Sequence, residues 1–177
     1  MLRAGFAEVE DCAGAEDAVL VRLLPGQAPG GALLRLLQAE EAPRDAPPPR
    51  VVEIPVRYGG AEGPDLAELA ARAGLSEADA AALHGDAEYR VAYLGFQPGF
   101  AYLTGTPAVL AAPRLATPRA RVPAGSLAIG GAYSGIYPSA APGGWRIIGR
   151  TEQLLFDPLR DPPALLAPGD RVRFIPL

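Results

Sequence analysis

The chain lacks lysine altogether: its 16 basic residues are all arginines, against 20 acidic residues. It therefore cannot form a lysine Schiff base, and it has no lysine-bearing phosphate loop. The single cysteine, Cys12, excludes an intramolecular disulfide and a cysteine-based zinc site. The single histidine, His84, excludes a two-histidine metal site, so we expect no metal. Because His84 is near the end of a predicted helix, we interpret it as contacting the last-turn carbonyls rather than as catalytic.

Long apolar runs and a basic charge balance are also missing. No run reaches roughly 18 apolar residues, and the N-terminus lacks a signal pattern, so we expect a cytoplasmic protein without membrane contact. The net charge of −4 argues against general nucleic-acid binding. With 177 residues, 49% of them hydrophobic, the chain suffices for one globular domain with at most a small appendage.

Acids are absent between Tyr89 and Thr151, although the whole protein is acidic. This window holds six arginines: Arg90, Arg114, Arg119, Arg121, Arg146 and Arg150. The planar fork of arginine binds carboxylate or phosphate through paired hydrogen bonds, so the window favours a positive cleft and a small anionic ligand. The alternative is that these arginines are solvated loop charges.

The pattern predicts an α+β fold with two domains. Residues 1–50 read as a small αβ lobe with a strand at Asp17–Leu24, a helix at Gly31–Glu41 and a proline-rich linker at 43–50. The second domain, 51–177, begins with a strand, Val51–Tyr58.

Within the second domain, Pro55 favours an edge position for that first strand. Two short helices follow. Their signals are Pro64, Asp65, Glu68 and Gly74 for the first, and Ser76, Asp79 and Gly85 for the second. From Tyr89 onward, short apolar segments alternate with glycine and proline, which predicts a closed β-barrel. QLLFD, residues 153–157, reads as one of its strands.

The segment from Gly95 to Tyr102, GFQPGFAY, combines two glycines and a proline with three aromatic residues. Glycine permits positive φ and close approach of the backbone to a ligand, and Phe96, Phe100 and Tyr102 can form a pocket wall. The same residues can equally form a tight turn with core aromatics, and the sequence leaves both interpretations open.

Three arginines of the window lie in stiff, proline-punctuated chain. Arg114 and Arg119 each follow a proline, and Pro123 comes shortly after Arg121. A stiff segment holds a guanidinium at a lower entropy cost than a flexible one does. We therefore predict that Arg119, Arg121 and Arg114 contact the substrate, with Arg119 the strongest candidate.

Ser126 and Tyr137 are the candidate hydrogen-bond donors to that substrate. Ser126 follows Gly125, whose backbone N–H can contribute to an anion-binding nest. Tyrosine is the window's only titratable side chain suited to proton transfer, and the catalytic residues remain unassigned. We infer that this chain binds and positions an anion while a partner chain supplies at least part of the acid–base chemistry.

Several of these segments together resemble one known family. The runs GFQPGFAYL, TPRARVPAGSLAIGG, GIYP and PGGWRIIGRT strongly resemble the 5-oxoprolinase B-subunit family, also called the allophanate hydrolase subunit 1 or kinase-A-inhibitor-like family. EIPVRYGGAEGPDLAELAARAGLS and PPALLAPGDRVRF fit it too, so the resemblance covers roughly Val51 to Leu177.

The resemblance implies a cyclophilin-like β-barrel, related to carboxyltransferase subdomains C and D, after a small N-terminal αβ domain. It implies the B subunit of a complex with subunits C and A that opens 5-oxo-L-proline to L-glutamate with ATP. We expect this chain to be inactive alone, with ATP bound mainly by the partners. Relatives in the family imply two alternatives: an inhibitor of a histidine kinase, or half of a biotin-dependent urea or amide carboxyltransferase.

Three departures from the family bear on specificity. The family usually has Gln-Thr where this chain has Tyr133-Ser134, and serine where it has Ala141. The N-terminal domain is also shorter than is usual in the family. If the family's glutamine contacts substrate, its loss leaves the exact substrate of this chain open.

Overall fold

The computed structural model describes residues 5–14, 18–38 and 49–177, and the chain divides into two compact units, Met1–Pro48 and Pro49–Leu177. In the first unit, strands β1 (Val9–Gly14) and β2 (Val19–Leu23) pair antiparallel, and helix α1 spans Gly31–Leu37. The predicted strand and helix are both present, whereas β1 was not predicted. Asp17, the predicted end of the helix at Glu41 and linker residues 43–48 lie outside the described residues.

The second unit is built around a closed seven-stranded barrel, which confirms the predicted α+β class. The strands of the second unit, seven in the barrel and two outside it, are β3 (Val51–Tyr58), β4 (Tyr89–Leu94), β5 (Ala101–Thr104), β6 (Arg119–Val122), β7 (Ser126–Gly130), β8 (Tyr133–Ile136), β9 (Ala141–Gly143), β10 (Arg146–Arg150) and β11 (Arg171–Pro176). The barrel order is β10-β3-β11-β4-β5-β8-β7, and β6 pairs with β9 in a separate two-stranded ribbon. The pair β3–β11 is parallel, while the other barrel pairs are antiparallel.

The prediction that Pro55 places β3 at an edge is wrong, because β3 lies between β10 and β11. The Val56 carbonyl accepts from the Leu177 N–H, so alternate residues of β3 direct their backbone polar groups toward the β11 side. The missing N–H of Pro55 is thus on the β10 side. There the ladder with β10 covers only Arg57 and Tyr58, so proline breaks no bond.

The two helices of the second unit follow the predicted signals closely. Helix α2 spans Leu66–Ala73 and ends at Gly74, whose φ is 69°. Helix α3 spans Glu77–Asp86, and the Ser76 hydroxyl accepts from the Asp79 N–H at 3.1 Å.

Two details of this part of the prediction are wrong. Gly85 lies inside α3 rather than ending it, and its lack of a side chain lets α3 approach Pro176 of β11. The QLLFD segment forms an isolated bridge between Phe156 and Ala164 rather than a strand. Prolines near each partner of that bridge, in the segment that connects the two partners, limit regular strand pairing.

His84 is a fully buried core residue, so the predicted contact with last-turn carbonyls is wrong. Its Nδ1 is 2.8 Å from the Tyr58 hydroxyl, and its Nε2 is 3.0 Å from the Ser134 hydroxyl. Burial lowers the pKa of His84 to about 3, so the ring is neutral at physiological pH. The hydrogen-bond chain continues from Ser134 to Thr106 at 2.9 Å and links α3 to the barrel.

Candidate functional site

An open cavity of about 250 Å³, here named the aromatic pocket, forms where the loops after β4 and β8 meet the segments preceding β6 and β10. Its main side chains are Phe96, Phe100, Tyr102, Tyr137, Trp145 and Arg114. The Phe100 ring is buried and meets Tyr137 and Trp145 edge-on, at centroid distances of 5.5 and 5.4 Å. These are favourable geometries for aromatic pairs, so the wall is preorganised.

Phe96 lies at the mouth of the pocket in a strained turn. Its φ is 66°, and the Gln97 N–H donates to the Gly95 carbonyl at 2.7 Å, which is the pattern of a γ-turn. Such a conformation in a non-glycine residue costs roughly 1–3 kcal/mol. Gln97 and Ser139 hold the turn, because the Ser139 hydroxyl donates to Gln97 Oε1 at 2.9 Å and Gln97 Nε2 donates to the Ser139 carbonyl at 3.3 Å. In this turn Phe96 is 59% exposed.

Two glycines give the aromatic side chains their space. A Cβ on Gly130 would lie 2.3 Å from the Trp145 indole, and a Cβ on Gly143 would lie 2.2 Å from the Tyr137 hydroxyl. Both distances are far below van der Waals contact. The indole therefore lies directly on the backbone of β7, and the phenol lies on that of β9.

Tyr137 and Arg114 supply the polar groups of the aromatic pocket. Burial raises the pKa of Tyr137, while a hydrogen bond from the Trp145 backbone and the charge of Arg114 act in the opposite direction. The phenol is therefore protonated at neutral pH. Arg114 is exposed and makes no ion pair within the described part of the chain, so its guanidinium is available to a ligand.

A second cavity, of about 230 Å³, here named the arginine pocket, shares no lining residue with the first. Its polar side chains are Arg119, Arg121, Arg150, Ser126 and Glu62. Arg119 and Arg121 alternate along β6, which directs both side chains to one face of the strand. Ser126 begins β7, and Arg150 ends β10.

Acids from the segment before the arginine-rich window neutralise part of its charge. The Arg119 guanidinium donates to the buried Asp65 carboxylate at 2.7 Å, and Arg146 donates to Glu68 at 2.6 Å. Arg150 is 3.7 Å from Glu62. The acid-free stretch of sequence is therefore not an acid-free surface, because the loop before α2 and its first turns fold against it.

The eight predicted site residues fall into two groups. Phe96, Phe100, Tyr102, Tyr137 and Arg114 line the aromatic pocket, whereas Arg119, Arg121 and Ser126 line the arginine pocket. Sequence reasoning missed Trp145 and Arg150, although both lie in the PGGWRIIGRT run. It also missed Asp65, whose carboxylate accepts from both Arg119 and the Ile147 N–H and thereby joins α2 to β6 and β10.

The departures from the family pattern lie next to the aromatic pocket. Tyr133 packs edge-on against Tyr102 at 5.8 Å, behind the pocket wall, and Ser134 belongs to the buried network of His84. Ala141 precedes Pro142 and Gly143, which line the pocket. Two of the three differing positions, Tyr133 and Ala141, therefore lie behind or beside the pocket, whereas Ser134 belongs to the core.

The fold of the chain corresponds to a known domain class. The family model "Carboxyltransferase domain, subdomain C and D" matches residues 1–166. The urea carboxylase of Kluyveromyces lactis, at 20% identity, shares the fold, with a TM-score of 0.73 over 99% of this chain and 18% of that one. The chain belongs to the family of carboxyltransferase domains, subdomains C and D.

Within that family the chain is similar to proteins named as the B subunit of 5-oxoprolinase. It is 58% identical to that of Escherichia coli O157:H7 over 137 residues, and 49% identical to that of Bacillus subtilis over 126 residues. These matches take in 77% and 71% of this chain but only 63% and 52% of the relatives. The crystal structure of the protein TTHA0988 is 44% identical, with a TM-score of 0.84, and the match covers 99% of this chain and 34% of that one.

Metal-binding clusters and membrane-spanning helices are both missing from the part of the chain that the structure describes. Within these ranges, no cluster of three or more histidine, cysteine, aspartate or glutamate side chains is placed to hold a metal ion. None of the helices described is long and apolar enough to cross a membrane.

Proposed function

We propose that the chain acts as the B subunit of an ATP-dependent 5-oxoprolinase and that the aromatic pocket binds 5-oxo-L-proline. One observation carries the proposal: a preorganised aromatic cavity of small-molecule size holds one available guanidinium in a chain that is 58% identical to a protein of that name. The substrate is a small five-membered ring with a carboxylate. Aromatic faces suit the ring, and arginine suits the carboxylate.

Each side chain of the pocket has a role in this proposal. Phe96 and Trp145 enclose the ring and exclude water, which strengthens polar contacts inside the cavity. Arg114 binds the carboxylate, and this charge-assisted contact fixes the orientation of the ring. Tyr137 remains protonated and donates a hydrogen bond to the lactam carbonyl, so it polarises the bond that must be opened.

The pocket holds and orients the substrate but has no strong base. Its described lining contains no histidine, aspartate or glutamate. General acid–base catalysis needs a titratable group within hydrogen-bond reach. Subunits C and A therefore supply the missing group, and any lysine-bearing phosphate loop that binds ATP belongs to them, because this chain has no lysine.

The experiment is a reconstitution. The purified chain alone is expected to show no 5-oxoproline-dependent ATP hydrolysis, whereas the chain combined with subunits C and A turns over. Arg114→Gln in the complex is expected to reduce kcat/KM by about 10- to 150-fold, the loss of one charge-assisted contact of roughly 1.5–3 kcal/mol. Arg72→Gln is the matched control, because Arg72 is an exposed arginine of α2 outside both pockets.

Two results would overturn the proposal. Turnover by the chain alone would mean that a base within this chain has been overlooked. Equal kcat/KM for Arg114→Gln and Arg72→Gln would remove the aromatic pocket from substrate binding.

A further inference from the structure

The arginine pocket contains more hydrogen-bond donors than its own acids can satisfy. Arg119 uses one terminal nitrogen for Asp65, while its other terminal nitrogen, Nη1, is buried without a hydrogen-bond partner in the described structure. A buried charged donor without an acceptor costs at least as much as a lost hydrogen bond. The Arg119 guanidinium is therefore paired with Asp65 through only one of its two terminal nitrogens.

The other two guanidinium groups are also available. Arg121 is exposed and makes no ion pair with any residue that the structure describes. Arg150 is held only loosely, because its 3.7 Å separation from Glu62 is longer than a hydrogen bond. Ser126 adds a hydroxyl at the same cavity. Three arginines thus line the cavity together with one acid, Glu62. The second nearby acid, Asp65, already accepts hydrogen bonds from Arg119 and from the Ile147 N–H.

The number and arrangement of these donors distinguish among anions. A carboxylate offers two oxygens in one plane, which a single guanidinium fork can satisfy. A phosphoryl group offers three acceptor oxygens in a tetrahedral arrangement and carries a charge of roughly −1.5 to −2 at neutral pH. The donors around the cavity belong to three separate strands, β6, β7 and β10, and they are more numerous than one carboxylate can accept.

The size of the cavity agrees with this ligand. The cavity volume of about 230 Å³ is far above the roughly 10–15 Å³ that a site for one water molecule needs on the same measure. This is enough for a phosphoryl group with part of its hydration shell. Because the cavity is open on one side, the phosphoryl group can belong to a larger molecule.

We propose that the arginine pocket is a phosphoryl-binding site, separate from the aromatic pocket, in which Arg121 and Arg150 contact the phosphate oxygens and the neighbouring Arg119 guanidinium adds positive charge. The ligand is free phosphate or the phosphate chain of a nucleotide, which share this chemistry. The site does not depend on the identity of the substrate in the aromatic pocket.

The test is isothermal titration calorimetry of the full chain in phosphate-free buffer of low ionic strength. The ligands are inorganic phosphate, ATP and, as the carboxylate comparison, acetate. We expect saturable binding of phosphate or ATP and at least tenfold weaker binding of acetate. Arg121→Gln and Arg150→Gln are each expected to weaken phosphoryl binding by about 10- to 150-fold, the range for losing one charge-assisted contact. Arg72→Gln is the matched charge-removal control, and Arg114→Gln reports on the aromatic pocket.

Each outcome decides the proposal. Binding of both phosphate and ATP identifies the phosphoryl group as sufficient, and binding of ATP alone identifies a nucleotide as its source. The proposal fails if neither binds, if acetate binds as tightly as phosphate, or if Arg121→Gln and Arg150→Gln both bind like Arg72→Gln. Thermal unfolding of each variant shows that lost binding is not lost folding. Arg114→Gln is expected to retain phosphoryl binding, so failure of the proposed 5-oxoproline site is distinguishable from failure of this one.

Discussion

Asp65 and Glu68 lie three residues apart at the start of α2, and each pairs with an arginine, yet we expect very different contributions to stability. The Asp65 side chain is 9% exposed and accepts from Arg119 at 2.7 Å and from the Ile147 N–H at 2.6 Å. The Glu68 side chain is 53% exposed and pairs with Arg146 at 2.6 Å. The two substitutions Asp65→Asn and Glu68→Gln therefore compare the loss of charge from a buried carboxylate with its loss from an exposed one.

The magnitude follows from burial. In Asp65→Asn the amide NH2 replaces one acceptor oxygen, so it faces either the guanidinium or the Ile147 N–H, and one buried donor loses its acceptor. Breaking a buried pair costs roughly 3–5 kcal/mol. Because the Arg119 side chain is 30% exposed and water recovers part of that loss, we expect about 3 kcal/mol. For Glu68→Gln we expect less than about 1 kcal/mol, because Glu68 is exposed to water and the glutamine amide oxygen can still accept from Arg146.

The assay is urea unfolding followed by fluorescence of Trp145, the single tryptophan, which lies in the barrel unit. The free energy of unfolding of each variant is compared with that of the unsubstituted protein at neutral pH and moderate ionic strength. If both variants lose the same free energy of unfolding within about 0.5 kcal/mol, the Asp65 carboxylate does not stabilise the contact between α2 and the barrel, and the argument from its burial is wrong.

Three further predictions concern the core and the pocket wall. Burial lowers the pKa of His84 to about 3 from an unfolded value near 6.5, so the stability that neutral His84 contributes is complete above pH 6.5 and is lost as the pH falls toward 3. Between pH 8 and pH 5 we expect the free energy of unfolding to fall by about 2 kcal/mol. Urea unfolding across that range measures this loss, which we expect to be absent in His84→Gln. Gly130→Ala is expected to lower the free energy of unfolding by about 1–3 kcal/mol and to shift the emission of Trp145, because the new methyl overlaps the indole. Phe96→Gly is expected to change the free energy of unfolding by less than about 1 kcal/mol, since relief of the positive φ offsets the lost ring contacts, while KM for 5-oxoproline in the reconstituted complex rises.

Each of these predictions has a contradicting result. An unchanged pH slope in His84→Gln would place the titrating group elsewhere. Wild-type stability and emission in Gly130→Ala would mean that the indole does not lie on β7. An unchanged KM in Phe96→Gly would show that the exposed ring does not cover the substrate.

Much of the fold follows from local signals in the sequence. Ser76 with Asp79 and the glycine at position 74 define helix ends because capping depends on a few neighbouring residues, and the structure confirms both. The place of Pro55 could not be predicted, because it depends on how far the ladder with β10 extends. The burial of His84 likewise depends on Tyr58 and Ser134, which are distant in sequence.

The candidate site shows the same division between local and distant information. The aromatic wall follows from the run GFQPGFAY, where Phe96 and Phe100 come together through one tight turn. That Arg119 faces Asp65 and that the arginines divide between two pockets depends on the folding of α2 against β6 and β10. An absence of acids within one window of sequence says nothing about acids that approach in space.

The most direct test of the central claim, that the aromatic pocket binds 5-oxo-L-proline, uses Trp145 itself. The single tryptophan lines the pocket, so the emission of the purified chain reports on occupancy. We predict a saturable change in emission on titration with 5-oxo-L-proline, with about 10- to 150-fold weaker affinity in Arg114→Gln and unchanged affinity in Arg72→Gln. Absence of a saturable change, or equal affinity in the two variants, would contradict the assignment of this pocket.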